Sequence, residues 1–126
     1  MLKEFRLSKL VPQVPEPRYG ALNFLMEYWT EHGSLDGLPF KPLVNVIDGV
    51  FYLSDGNQRA IFYHLNGFET MMAEELTSGD YETGSESLVR YNKLSIAEEL
   101  GKRGIISVGG LAEMVENPER YMITER

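Results

Sequence analysis

Apolar residues recur along this chain in two periods, and the changes of period mark the elements. From 2 to 10 they alternate, with Phe5 and Leu7 on one side and Lys3 and Lys9 at the edges, which predicts a first strand. Pro12, Pro15 and Pro17 follow. Each lacks the N–H that a ladder needs, so this stretch reads as an extended connector. The period then lengthens. Leu22, Leu25, Met26 and Trp29 recur at i, i+3, i+4 and i+7, one apolar stripe of a helix over 21–32. Gly33 stands where that helix needs a left-handed residue to stop, and Trp29 reads as a core anchor. Residues 34–42, with Gly37, Pro39 and Pro42, form a loop.

Two apolar runs at 43–47 and 50–54 are separated by Asp48-Gly49. A two-residue type I′ turn needs positive φ at both positions, so Asp-Gly between apolar runs predicts a hairpin. After Asp55-Gly56 a helix follows over about 57–65, closed by Asn66-Gly67, and then a strand over 70–76. Residues 77–87 carry Gly79, Asp80, Gly84, Ser85 and Ser87 and read as a polar loop. A further helix begins at 88–91. Ser95-Ile96-Ala97-Glu98 has the form of a capping box, which places a helix start at Ser95, with Gly104 as its stop. Ser107 caps a last helix through Val115. The pattern is that of an α/β (α+β) protein: a mixed sheet with a hairpin at about 43–54, packed helices and a helical C-terminal tail. The expected organisation is one domain over 1–126, with a core at 1–76, a polar loop at 77–87 and a mainly helical extension at 88–126.

Composition narrows the chemistry. The 126 residues include no cysteine and two histidines, His32 and His64. Disulfides, thiol nucleophiles and Cys-ligated metals are excluded. The first residues, Met1 to Arg6, alternate in charge without an apolar core, so no signal peptide is expected. No run approaches the length of a membrane span. A cytoplasmic protein with no membrane partner is the expectation. Twelve basic residues face nineteen acidic ones, net −7, and most of the excess lies in 69–126. Strong duplex DNA binding is therefore not expected. A 107–115 helix with two glycines and no Lys or Arg cannot read a groove either.

One segment carries candidate chemistry: Leu53-Ser54-Asp55-Gly56-Asn57-Gln58-Arg59-Ala60. A strand running through glycine into a helix aims free N–H groups and the positive end of the helix dipole at the turn, which favours an anion. Gly56, without a Cβ, lets a phosphate approach the backbone. Arg59 offers a planar fork, Asn57 or Gln58 can donate amide hydrogens, and Asp55 can hold a cation. The same residues also suit a purely structural turn, with Asp55 as a cap and Arg59 paired to a surface acid. The residues alone leave both open. His64, five positions beyond Arg59, need not share its face.

This segment, with Leu65-Asn66-Gly67 after it, resembles the signature of the ParB/sulfiredoxin superfamily. Upstream, Leu22 and Leu25, then Gly33, then Pro42-Leu43-Val44-Asn45-Val46 resemble that family's helix, glycine and Pro-x-x-Val segments. Residues 97–105 resemble tails of small ParB-like proteins. The resemblance covers about 2–76 and implies a small fold with a nucleotide or phosphate pocket at the Gly-x-x-Arg turn. Family members include partition nucleotidases, nucleases, small-molecule kinases and ATP-dependent sulfinic-acid reductases. The reductases use a cysteine at this turn, and this chain has none. Where partition proteins resemble Gly-Glu-Arg-Arg, this chain reads Gly56-Asn57-Gln58-Arg59, losing one acid and one base. Some members place an acid beside the pocket where Glu16 stands. The resemblance thus implies phosphate or nucleotide binding by Gly56, Asn57, Gln58 and Arg59. Asp55 and Glu16 are its candidate catalytic groups and Asp55 its candidate Mg²⁺ ligand. A nucleoside triphosphate with Mg²⁺ would be the cofactor pair, with phosphoryl transfer or phosphodiester hydrolysis as the reaction. The alternative is a non-catalytic interaction domain whose acidic half, 69–126, meets a basic protein.

Overall fold

In a computed structural model, which describes residues 2–77 and 85–123, Asp48 and Gly49 both take positive φ, 51° and 77°. They join β3 (Leu43–Ile47) to β4 (Val50–Asp55), with Ile47 opposite Val50 and Val46 opposite Phe51. This is the hairpin that Asp-Gly predicts. A Cβ on Gly49 would meet open space, so its cost is one of backbone conformation alone. Gly49→Val should destabilise by about 1–2 kcal/mol, the penalty for a left-handed residue with a side chain. Chemical denaturation measures it, and an unchanged midpoint would contradict the turn assignment.

The hairpin sits inside a five-stranded mixed sheet of order β1-β5-β3-β4-β2, where β1 is Leu2–Arg6, β2 Leu10–Pro12 and β5 Thr70–Leu76. The expected single strand over 2–10 is thus two strands at opposite edges, separated by a 3-10 turn at Leu7–Lys9. The sequence hides the break because Phe5 and Leu7 are both buried across it. The break also fixes the sheet's shape. Edges of a flat five-stranded sheet stand about 19 Å apart, while the chain from Arg6 to Leu10 reaches at most about 14 Å. The sheet is therefore strongly coiled. Pro12 ends β2, an edge strand, where its missing N–H is tolerated.

Helix α1 is Tyr19–His32, with Gly33 at φ 78° as its stop. Helix α2, Asn57–Leu65, crosses from β4 to β5 and buries Ala60, Ile61 and Phe62 in succession. Three consecutive buried residues mean that it is covered on more than one side. Ala60 joins Phe5, Leu10, Val44, Leu53 and Met71 against the sheet, while Ile61 and Phe62 join Leu22 and Leu25 of α1 in a helical core. Trp29 packs its ring against Phe62 and Phe68, centroids 6.1 and 5.9 Å away, as a core anchor should.

Helix α3 runs unbroken over Glu86–Lys102 and α4 is Val108–Glu113. The start expected at Ser95 does not exist. Once α3 is running, each further residue adds a hydrogen bond, whereas a fresh start would repeat the cost of nucleation. Most of the expected 77–87 loop lies outside the described residues, and α3 already begins at Glu86. Ser107 does cap α4, its Oγ accepting the Gly110 N–H at 3.0 Å. The helical C-terminal segment is built into the core: Leu100, Ile105, Leu111 and Tyr121 pack with Leu22 and Phe62. Asn66, buried, holds it there by donating to the carbonyls of Phe62 (2.9 Å) and Tyr121 (2.8 Å). No helix among the described residues is long and apolar enough to cross a membrane.

Candidate functional site

At the β4–α2 junction Gly56 takes φ 91°, and its N–H donates to the Asp55 carboxylate at 2.8 Å. A Cβ here would lie 2.6 Å from Cβ and 3.0 Å from Cα of Pro42. This corrects the reading of Gly56 as an opening for phosphate. The missing side chain makes room for Pro42 and permits the left-handed turn.

Asn57 and Gln58 are also placed differently from expectation. Asn57 is buried, its Oδ1 accepting the Gln13 N–H at 3.1 Å and its Nδ2 donating to the Leu53 carbonyl at 2.9 Å. Gln58 accepts the Arg18 N–H at 2.7 Å and donates to the Glu16 carbonyl at 3.2 Å. Each amide thus ties the start of α2 to the proline connector, and Asn57 also to β4. Both residues line the cleft described below and at the same time clasp it to the upstream chain. The connector partners Gln13, Glu16 and Arg18 lie 40 to 44 positions upstream, which no local reading of the turn reveals.

The clasps have a geometric consequence. Arg18 is the N-cap of α1, so Gln58 binds the start of α1 to the start of α2. Helix geometry leaves the first N–H groups of each without an intrahelical acceptor. Residues from both starts line one open cleft of about 260 Å³: Arg18 and Ala21 from α1, and Gly56, Asn57, Gln58 and Arg59 from α2. Ser54 and Asp55 extend it, and Val14, Phe24 and Leu25 give it an apolar wall. Arg18 is the residue that sequence reasoning missed. Its signal was a base directly before a helix, obscured because the helix was expected to begin two residues late.

Arg59 lies half-buried on this wall. It donates to the Phe40 carbonyl at 2.7 Å, which leaves further N–H donors of its fork. Burial pulls its pKa down, opposed by Tyr63, Asp55, Asp36 and Tyr28 nearby. Asp55 is the carboxylate among the residues lining the cleft, whereas Glu16 does not line it and contributes its carbonyl to Gln58. Among the described residues no three His, Cys, Asp or Glu side chains gather as a metal site. A cation here would have Asp55 alone as its protein carboxylate. His64 lines a different cavity.

No protein-family model matches the chain, and no curated protein sequence matches it either. In fold it is similar to the crystal structure of protein Atu1540 from Agrobacterium tumefaciens, with a TM-score of 0.52 at 15% identity, over 76% of this chain. The match spans 49% of that protein's length, about half of it. At this identity the likeness concerns the fold alone.

Proposed function

We propose that this protein binds a phosphate-bearing ligand, a nucleotide by preference, in the cleft between the starts of α1 and α2. One observation carries the reading. Each of these helices has an arginine at its positive end, Arg18 at the N-cap of α1 and Arg59 in the first turn of α2, and neither has an acid in its first turn. A cation at a helix N-terminus is unfavourable by about 0.3–1 kcal/mol. Two such placements, clasped together by Gln58 around one cleft, are relieved by an anion between them. Asp55 offsets part of the charge at the rim. The apolar wall of Val14, Phe24 and Leu25 suits the non-phosphate part of a nucleotide. The Gly-x-x-Arg resemblance to the ParB/sulfiredoxin superfamily points the same way.

A nucleoside triphosphate would bring Mg²⁺, which commonly takes one carboxylate, here Asp55, and completes its shell with phosphate oxygens and water. The metal would supply charge neutralisation for phosphoryl transfer. Arg18 and Arg59 would hold and orient the phosphates. Glu16 drops out as a base, because it does not line the cleft.

Thermal unfolding with nucleoside triphosphates and Mg²⁺, and with pyrophosphate alone, tests the reading. A ligand at about a hundred times its Kd stabilises by about 2.7 kcal/mol. No shift with any of these compounds would contradict it.

A second reading, an interaction domain, has an observation of its own. Only Leu100 is fully buried along the seventeen residues of α3, while Leu88 and Tyr91, one turn apart, are 69% and 71% exposed. On this reading the acidic half would meet a basic protein, and Leu88→Ser with Tyr91→Ser would abolish that contact without touching the cleft.

A further inference from the structure

Ile96 and Leu100 of α3 pack into the helical core, and Val89 lies half-buried on the same side of the helix. Two polar ties add to this. Arg90 holds both carboxylate oxygens of Asp48 in the hairpin turn, and the Gln13 amide donates to the Lys93 carbonyl at 3.3 Å. The other side of α3 faces solvent. Leu88 and Tyr91 stand out there, and Leu94, 40% exposed, lies midway along it.

Glu86, Arg90, Leu94, Glu98 and Lys102 follow one another at four-residue spacing, and all five are exposed. Residues so spaced form one ridge of a helix, here about 24 Å long. Its charges read minus, plus, neutral, minus, plus. Turned end to end, they read plus, minus, neutral, plus, minus, so every charge then faces its opposite. A two-fold axis at Leu94 performs this turn. It sets Glu86 against Lys102 of a second copy, Arg90 against Glu98 of that copy, and Leu94 against its own counterpart. Arg90 keeps N–H donors beyond the two that Asp48 accepts. Size matches as well. The large Tyr91 comes opposite Ala97, and Leu88 comes beside Gly101, where a Cβ would meet nothing in its own chain. The ridge is neutral on a chain of net −7, so two copies can meet along it without the repulsion that their total charge brings. Arg90 and Lys102 disfavour a basic protein as its occupant.

We propose that the outer side of α3 is a self-association face, on which two copies of this protein pack antiparallel about a two-fold axis at Leu94. The symmetry makes each ion pair twice and closes the assembly at two copies. One helix face is smaller than the roughly 800 Å² per partner of a standard interface. The dimer is therefore reversible, with a Kd of about 1–100 µM. The inference is independent of the phosphate reading, since no residue of α3 lines the cleft.

Sedimentation equilibrium of the whole chain, from about 1 µM to about 1 mM, tests it. The expected result is a monomer–dimer equilibrium that weakens with added salt. Leu94→Glu sets two carboxylates face to face on the axis and should abolish the dimer. Glu98→Lys, at a side chain 74% exposed, should keep the fold and weaken the dimer about tenfold or more, because it sets like charges opposite each other twice. The chain has no cysteine, so single cysteines report the register. Leu94→Cys should oxidise to a disulfide-linked dimer. Leu88→Cys should not, because six residues from the axis it stands about 18 Å from its counterpart, far beyond disulfide reach. A chain that stays monomeric to about 1 mM overturns the proposal and leaves the face to another protein. So does a dimer that Leu94→Glu and Glu98→Lys leave unchanged, or one that Leu88→Cys locks as readily as Leu94→Cys.

Discussion

Gly56→Ala should destabilise this protein by about 3 kcal/mol, more than any other single methyl added in the turns described above. Two costs combine. A non-glycine residue at φ 91° bears the left-handed penalty of about 1–2 kcal/mol. The new methyl would also stand 2.6 Å from Pro42 Cβ and 3.0 Å from Pro42 Cα, an overpacking of about 1–3 kcal/mol. Because one of those atoms is backbone, no side-chain rotation relieves it. For a chain of this size the melting temperature should fall by about 10 °C. If Gly56 served only to admit a phosphate, the variant would keep its stability and lose its ligand. Calorimetry beside a binding assay separates the two.

Arg59→Ala should weaken binding of a phosphate-bearing ligand by about ten- to a hundredfold, the worth of a charge-assisted hydrogen bond. It also removes the donor to the Phe40 carbonyl at 2.7 Å, so a stability loss of about 1 kcal/mol should accompany it. Arg59→Lys keeps the charge and loses the fork, and should recover part of the affinity. If Arg59→Ala unfolds the protein, or leaves ligand binding untouched, the guanidinium serves the fold and the interaction-domain reading leads.

Local signals account for what the sequence revealed. The type I′ turn at Asp48-Gly49, the stripe of Leu22, Leu25 and Trp29, and the stop at Gly33 are each set by residues within a few positions. The errors came where distant partners decide. Asn57 and Gln58 sit in the turn, yet their amide oxygens accept from the backbone N–H groups of Gln13 and Arg18, which no local reading shows. Gly56 looked like an opening because glycine admits ligands, yet Pro42 fills the space. Ser95 had the chemistry of a cap, which matters only where a helix starts, and α3 was already running. Leu7 kept the apolar alternation through a turn that sends β1 and β2 to opposite edges of the sheet. The cleft itself was legible only in half. The α2 start could be read from strand, glycine and helix, while the α1 start and Arg18 arrive through the Gln58 clasp.

That pairing of helix starts is best tested by amide NMR during a titration with pyrophosphate, following Tyr19, Gly20 and Ala21 together with Asn57, Gln58 and Arg59. The account predicts saturable shifts in both sets with one common midpoint, since one anion sits between two N-termini. Shifts confined to one set, or none in either, would contradict it.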